Sequence, residues 1–152
     1  MYDEGYSDIV NIDISLIVVN QMKEQYKGRY EDIINKQMDV REINYDDDTF
    51  HAVIDKGTFD SVCCGDAAEE NAKLMLSEIS RVLKPGGTYI CVSYGMKELR
   101  MLAFDKQQYN WTVTHTMVPK PTMGNISSEQ QKELAKDDKN FHQVYICKKN
   151  SD

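Results

Sequence analysis

The chain is short of positive charge, of histidine and of any long apolar run, and each shortage excludes something. Lys and Arg number 18 against 25 Asp and Glu, for a formal net charge of -7. A surface that grips phosphate backbones needs clustered cations, so nucleic-acid binding is not expected. No apolar stretch nears the ~18 residues of a membrane span. The acidic start Met1-Tyr2-Asp3-Glu4 also lacks the basic region and apolar core of a secretory leader. The expectation is a cytoplasmic protein without membrane attachment. Its acidity suits a partner that presents lysine, and equally suits plain solubility.

Metal chemistry has little to work with. The three histidines, His51, His115 and His142, show no ligand spacing and no nucleophile partner, so no metal site and no hydrolase triad are expected. Cys63 and Cys64 are adjacent rather than paired as C-x-x-C, and Cys91 and Cys147 fall inside apolar runs. Reduced, buried thiols are the simpler reading. The 152 residues show no internal repeat and suit a single domain over residues 1–152.

What is present alternates between strand and helix patterns. Ile9 to Ile12 reads as a buried strand ending at Asp13, after which Ser15 can cap a helix. Val18, Met22 and Tyr26 are spaced along one helical face, and Gly28 stops it. A second strand is predicted over Lys36–Val40 and a third over His51–Asp55. Asp46-Asp47-Asp48 reads as a solvated turn between them. Asp66 and Glu69 pattern as a helix start, with Ala72, Met75, Leu76, Ile79 and Leu83 facing a sheet. Lys84-Pro85-Gly86-Gly87 ends that helix, and Thr88–Val92 is the next strand. Near the end, Trp111–Met117 alternates, and Val144–Cys147 follows as an antiparallel companion. The polar segment 127–138 between them reads as an exposed helix or a loop. The pattern predicts an α/β fold with a mostly parallel sheet and a C-terminal antiparallel hairpin.

Several segments in this order resemble one family. Asp55-Lys56-Gly57-Thr58-Phe59-Asp60, the passage Ser80 to Gly87, and the closing Tyr109-Asn110-Trp111 and Phe141 to Tyr145 are similar to those of the elongation factor 1-alpha lysine methyltransferases. That family belongs to the class I S-adenosylmethionine-dependent methyltransferases, with a Rossmann-like sheet. Asp3-Glu4-Gly5-Tyr6 resembles the end of the helix that follows the family's opening strand and its G-x-G-x-[NS] loop. The first strand of the family pattern is therefore read as missing, leaving an N-terminally truncated domain. With that strand absent, direct pairing of the strands ending at Asp13 and Asp55 is expected.

The resemblance implies a site. Asp13, with Ile14 beside it, stands at a strand's carboxyl end, where open α/β sheets bind ligands. Its two oxygens could accept both ribose hydroxyls of the cofactor S-adenosyl-L-methionine, or merely cap a helix. Asp39 would accept from the adenine amino group, Val40 would offer a backbone N–H, and Met38 a polarizable surface. A surface turn is the alternative there. Asp55 would face the cofactor cleft and, with Asp60, form the catalytic pair, although Asp60 could equally cap a helix. Lys56, Gly57 and Thr58 would line the cleft, with Phe59 as an apolar wall. Tyr109 and Trp111 would contribute to the substrate rim or pack in the core. The implied activity is methyl transfer to a protein lysine, with elongation factor 1-alpha as the partner type. The alternatives are a non-catalytic binding module and a small-molecule methyltransferase.

Overall fold

The computed structural model describes residues 1–121, 127 and 137–151. They form two compact units, Met1–Tyr45 and Asp46–Asp152, each with its own sheet.

In the first unit, β1 (Val10–Asp13) and β2 (Ile34–Gln37) pair in parallel, with Asp13 opposite Gln37. The crossover contains α1 (Leu16–Tyr26). Ser15 is its N-cap, accepting from the Val18 N–H as the sequence predicts, and Gly28 follows at φ 73°. The buried face differs from the expected one by a residue. Val19 is buried, whereas Val18 is exposed. Asn11 and Asn35 join their amides across the two strands at 3.1 Å.

The second unit holds a four-stranded sheet in the order β3-β4-β6-β5. β3 (Phe50–Lys56) and β4 (Leu83–Ser93) are parallel, and β6 (Phe141–Lys149) runs antiparallel to both β4 and β5 (Trp111–Pro119). So β3, β4 and β5 all run the same way. Their carboxyl ends, at Lys56, Ser93 and Pro119, share one rim of the sheet. β4 begins at Leu83, ahead of the expected glycine turn and running through it, and its register against β3 shifts between Phe50 and Ala52 before running regularly from Thr88. The direct ladder expected between the strands of Asp13 and Asp55 is not formed. β1 pairs with β2 and β3 with β4.

Among its described residues this unit also holds α2 (Thr58–Val62), α3 (Ala68–Val82) and α4 (Lys97–Phe104). Along α3, Ala72, Met75, Leu76 and Ile79 are buried as the periodicity predicts. Asp66 does not cap it. The helix begins at Ala68, its N-cap is Ala67, and no side chain closes that end. Its other end is closed by a distant residue. Lys149 Nζ donates to Ser80 O at 2.8 Å and Leu83 O at 2.6 Å, and pairs with Asp48 at 2.9 Å. A cation there meets the negative end of the helix dipole. Asp47 pairs with Arg81 at 2.8 Å, so two of the three adjacent carboxylates are anchored rather than simply solvated. The predicted segment 127–138 lies almost wholly outside the described residues.

Candidate functional site

Carboxylates gather at strand ends in each unit. In the first, Asp13 Oδ1 accepts from the Ser15 N–H at 2.7 Å, which fixes the side chain at the end of β1. Beside it, the Met38 N–H donates to Asp13 O at 3.0 Å and Gln37 Nε2 to Ile14 O at 3.1 Å. The end of β2 is thereby tied to the end of β1. β2 stops at Gln37, so Met38, Asp39 and Val40 form a turn rather than strand. Asp39 there is engaged. Arg41 Nη2 reaches its Oδ2 at 2.6 Å, and the Arg41 Nε and backbone N–H reach its Oδ1 at 3.0 and 2.9 Å. The guanidinium holds the Asp39 carboxyl below the usual carboxylate range, against the opposing pull of partial burial.

In the second unit, Asp55 does not face a cleft. It is 6% exposed, and its carboxylate accepts from the N–H groups of Thr58 at 2.8 Å and Phe59 at 3.1 Å. Tyr89 Oη and Cys91 Sγ donate to the same carboxylate at 3.1 and 3.4 Å. Burial, and after it the nearby Asp55 carboxylate, push the Cys91 thiol well above its ordinary value. Burial likewise raises Tyr89, so both stay neutral donors. The geometry makes Asp55 the anchor of the turn into α2, where Gly57 takes the left-handed φ of 85°. The turn residues Lys56 and Thr58 are exposed, Gly57 is part-buried, and Phe59 is fully buried against Phe104 at 4.8 Å rather than lining a cleft.

Asp60 sits at the rim. Ser93 Oγ donates to its Oδ1, Arg100 Nη2 reaches the same oxygen at 2.8 Å, and the Tyr94 N–H reaches Oδ2 at 2.8 Å. Arg100 Nε and the Gly95 N–H close the ring onto Ser93 Oγ at 2.9 and 3.1 Å. The guanidinium lies over the Phe59 ring, 5.1 Å from its centroid. On its other side it rests against Gly95, where a Cβ would collide with it. Burial works to raise the Asp60 carboxyl. The hydrogen bonds from Ser93, Tyr94 and Arg100 outweigh that and hold it below its ordinary value.

Tyr109 and Trp111 are placed away from that rim. They are 1% and 6% exposed and lie at the amino end of β5. Trp111 Nε1 donates to Phe104 O at 2.8 Å, Ser80 Oγ donates to Tyr109 O at 2.6 Å, and the two rings stack at 5.1 Å. Their substrate contact is therefore corrected to core packing. Sequence reasoning missed Ser93, Tyr94, Gly95 and Arg100. A signal existed, because the residues after β4 stand at a carboxyl end just as Asp13 does. Among the described residues, no three His, Cys, Asp or Glu side chains gather as metal ligands. No helix among them is long and apolar enough to cross a membrane.

An open α/β sheet with parallel strands ending in carboxylate-lined turns, closed by an antiparallel strand inserted next to β4, defines the class I methyltransferase architecture. A methyltransferase domain family model matches residues 1–91, and the chain belongs to that family. The chain is 45% identical over 98 residues to the mouse eEF1A lysine and N-terminal methyltransferase. It is 42% identical over 95 residues to the human protein of that name. Each match covers 61% of this chain but only 14% of the relative, so the chain corresponds to a small part of those proteins. A solved SAM-dependent methyltransferase from Methanosarcina mazei has the same fold, with a TM-score of 0.68 at 14% identity, covering 95% of this chain and 82% of that one.

Proposed function

We propose that this chain is part of a methyltransferase that moves a methyl group from S-adenosylmethionine to a protein lysine, with elongation factor 1-alpha as the substrate type. The names of its relatives support that substrate class. The family match runs across both compact units, which supports a single working domain.

The observation that carries the reading is Asp13 at the carboxyl end of β1, with one oxygen held by the Ser15 N–H and the other available to a diol. An acceptor so placed fits the ribose hydroxyls of an adenosine. In the turn that follows β2, Met38 would offer its surface to the adenine face, the Val40 N–H would donate to a ring nitrogen, and Asp39 would accept from the adenine amino group while sharing its oxygens with Arg41. The donor, when bound, supplies a methyl already activated by a cationic sulfur. The chain's work is then to position the donor and a neutral amine in line and to exclude water. In the second unit, Asp55 holds the turn Lys56-Gly57-Thr58 in shape from beneath. Asp60 acts through Ser93, Tyr94 and Arg100 to fix the rim that meets the incoming lysine.

The test is transfer of labelled methyl from S-adenosylmethionine to purified elongation factor 1-alpha. Methyl-lysine is the expected product. Asp13→Ala should slow the reaction by roughly 10- to 100-fold at low donor concentration, from loss of ~1.5–3 kcal/mol of charge-assisted hydrogen bonding. Equal rates in parent and variant would remove Asp13 from the site, and label on any group other than lysine would remove the substrate class.

A further inference from the structure

A lysine at this rim lies over an exposed aromatic ring. Lys120 follows β5, whose carboxyl end lies on the same rim as that of β4. Its Nζ lies over the Tyr94 ring, 5.5 Å from the centroid, and donates to Lys139 O at 2.5 Å. Within ~6 Å of an aromatic face an ammonium is attracted by the ring's quadrupole. Tyr94 is 67% exposed, so its face is open to a ligand wherever Lys120 does not cover it. His142 from β6 meets the same ring edge-on at 6.3 Å, and its buried Nδ1 has no hydrogen-bond partner. The backbone beneath is held firmly, because the Tyr94 N–H is fixed by Asp60 and Asp60 in turn by Ser93 and Arg100. An exposed aromatic on a clamped backbone at the ligand-binding end of a sheet is a preformed platform, not a stray surface residue.

We infer that the Tyr94 ring, walled by His142, is a recognition shelf for an alkylammonium group, and that Lys120 occupies it as an internal competitor. The shelf deepens the proposed lysine methylation and rests on it for the source of the cation. The side chain it selects is a long, unbranched primary amine, since an ammonium at the end of a flexible stem is what Lys120 already presents. A substrate lysine displaces Lys120 and takes over its place on the ring.

Binding can be read without any methyl transfer. The probe is Nα-acetyl-lysine N-methylamide, titrated into the isotope-labelled chain and followed by amide shifts at Tyr94, Gly95 and Lys120. The norleucine analogue, equal in stem and lacking the charge, is the control. The lysine probe should shift these amides and the norleucine probe should not. Lys120→Gln should lower the half-saturating concentration by about 2- to 5-fold, the size of a cation–aromatic contact at an exposed position. Tyr94→Phe should bind as the parent does, and Tyr94→Ala should lose the response while its remaining spectrum overlays on the parent's. Equal binding of the norleucine probe, an unchanged response in Tyr94→Ala, or no gain in Lys120→Gln would each overturn the shelf. Loss of binding in Tyr94→Phe would overturn it too, by assigning the contact to the hydroxyl. Failure of the methyl-transfer assay would leave these titrations unaffected, so the two readings fail separately.

Discussion

Two carboxylate centres on the same strand-to-helix passage are put to opposite uses. Around Asp55, three of the four partners are buried, the Phe59 N–H, a tyrosine hydroxyl and a thiol, and the fourth, the Thr58 N–H, is part-buried. Around Asp60, the partners are a serine, an arginine and the backbone of an exposed tyrosine, all at the carboxyl rim of the sheet. The first centre shapes the turn and the second presents a surface. A carboxylate's position in a motif therefore does not state its task. What surrounds its oxygens does.

If that division is right, removing Asp55 should harm the fold most. Asp55→Ala leaves three buried donors and one part-buried donor without an acceptor, and each buried unsatisfied group costs about 1–3 kcal/mol. Allowing for partial relaxation, urea unfolding should show a loss of about 3–5 kcal/mol. A loss below about 1 kcal/mol would mean that the carboxylate is not the anchor described.

Asp60→Asn should cost less, about 1–2 kcal/mol, because water reaches its surroundings, but its cost should depend on pH. The Asp60 carboxyl is depressed in the folded chain. Its contribution is therefore present above the unfolded value of about 3.9 and fades as pH falls through the lower folded value. Parent and variant should differ by a constant amount above about pH 5 and converge in stronger acid. A gap that widens on acidification would contradict the assignment.

The smallest of these effects belongs to Gly95→Ala. The added methyl must displace Arg100, which is pinned between Phe59 and the Asp60–Ser93 pair. A loss of about 1 kcal/mol is expected, with amide shifts concentrated at Ser93 and Tyr94. Shifts confined to residue 95 itself would mean that the clamp tolerates the change.

The regular elements were legible because their signals are local. The apolar runs of β1, β3 and β4, the Ser15 cap and the buried face of α3 each follow from a few neighbouring residues. Asp66 misled because an acidic residue before a helix resembles a cap, whereas this helix starts at Ala68 with its end uncapped. α4 went unseen because Leu99 and Leu102 are exposed, at 54% and 70%, and Phe104 is its one buried residue, which blurs the apolar stripe. The inward turn of Asp55 depends on Tyr89 and Cys91, which arrive from a different strand, and no local pattern announces such partners. Tyr109 and Trp111 read equally well as rim or core. Burial against Tyr89 and Phe104 decides for the core.

The most direct measurement is calorimetric titration of S-adenosylhomocysteine into the parent, Asp13→Ala and Asp60→Asn. Under the proposed function, donor binding rests on Asp13 and only loop positioning on Asp60. That division of roles predicts affinity reduced by roughly 10- to 100-fold in Asp13→Ala, from ~1.5–3 kcal/mol of lost charge-assisted bonds, and changed by less than about 3-fold in Asp60→Asn. Unaltered affinity in Asp13→Ala, or a larger loss in Asp60→Asn than in Asp13→Ala, would contradict it.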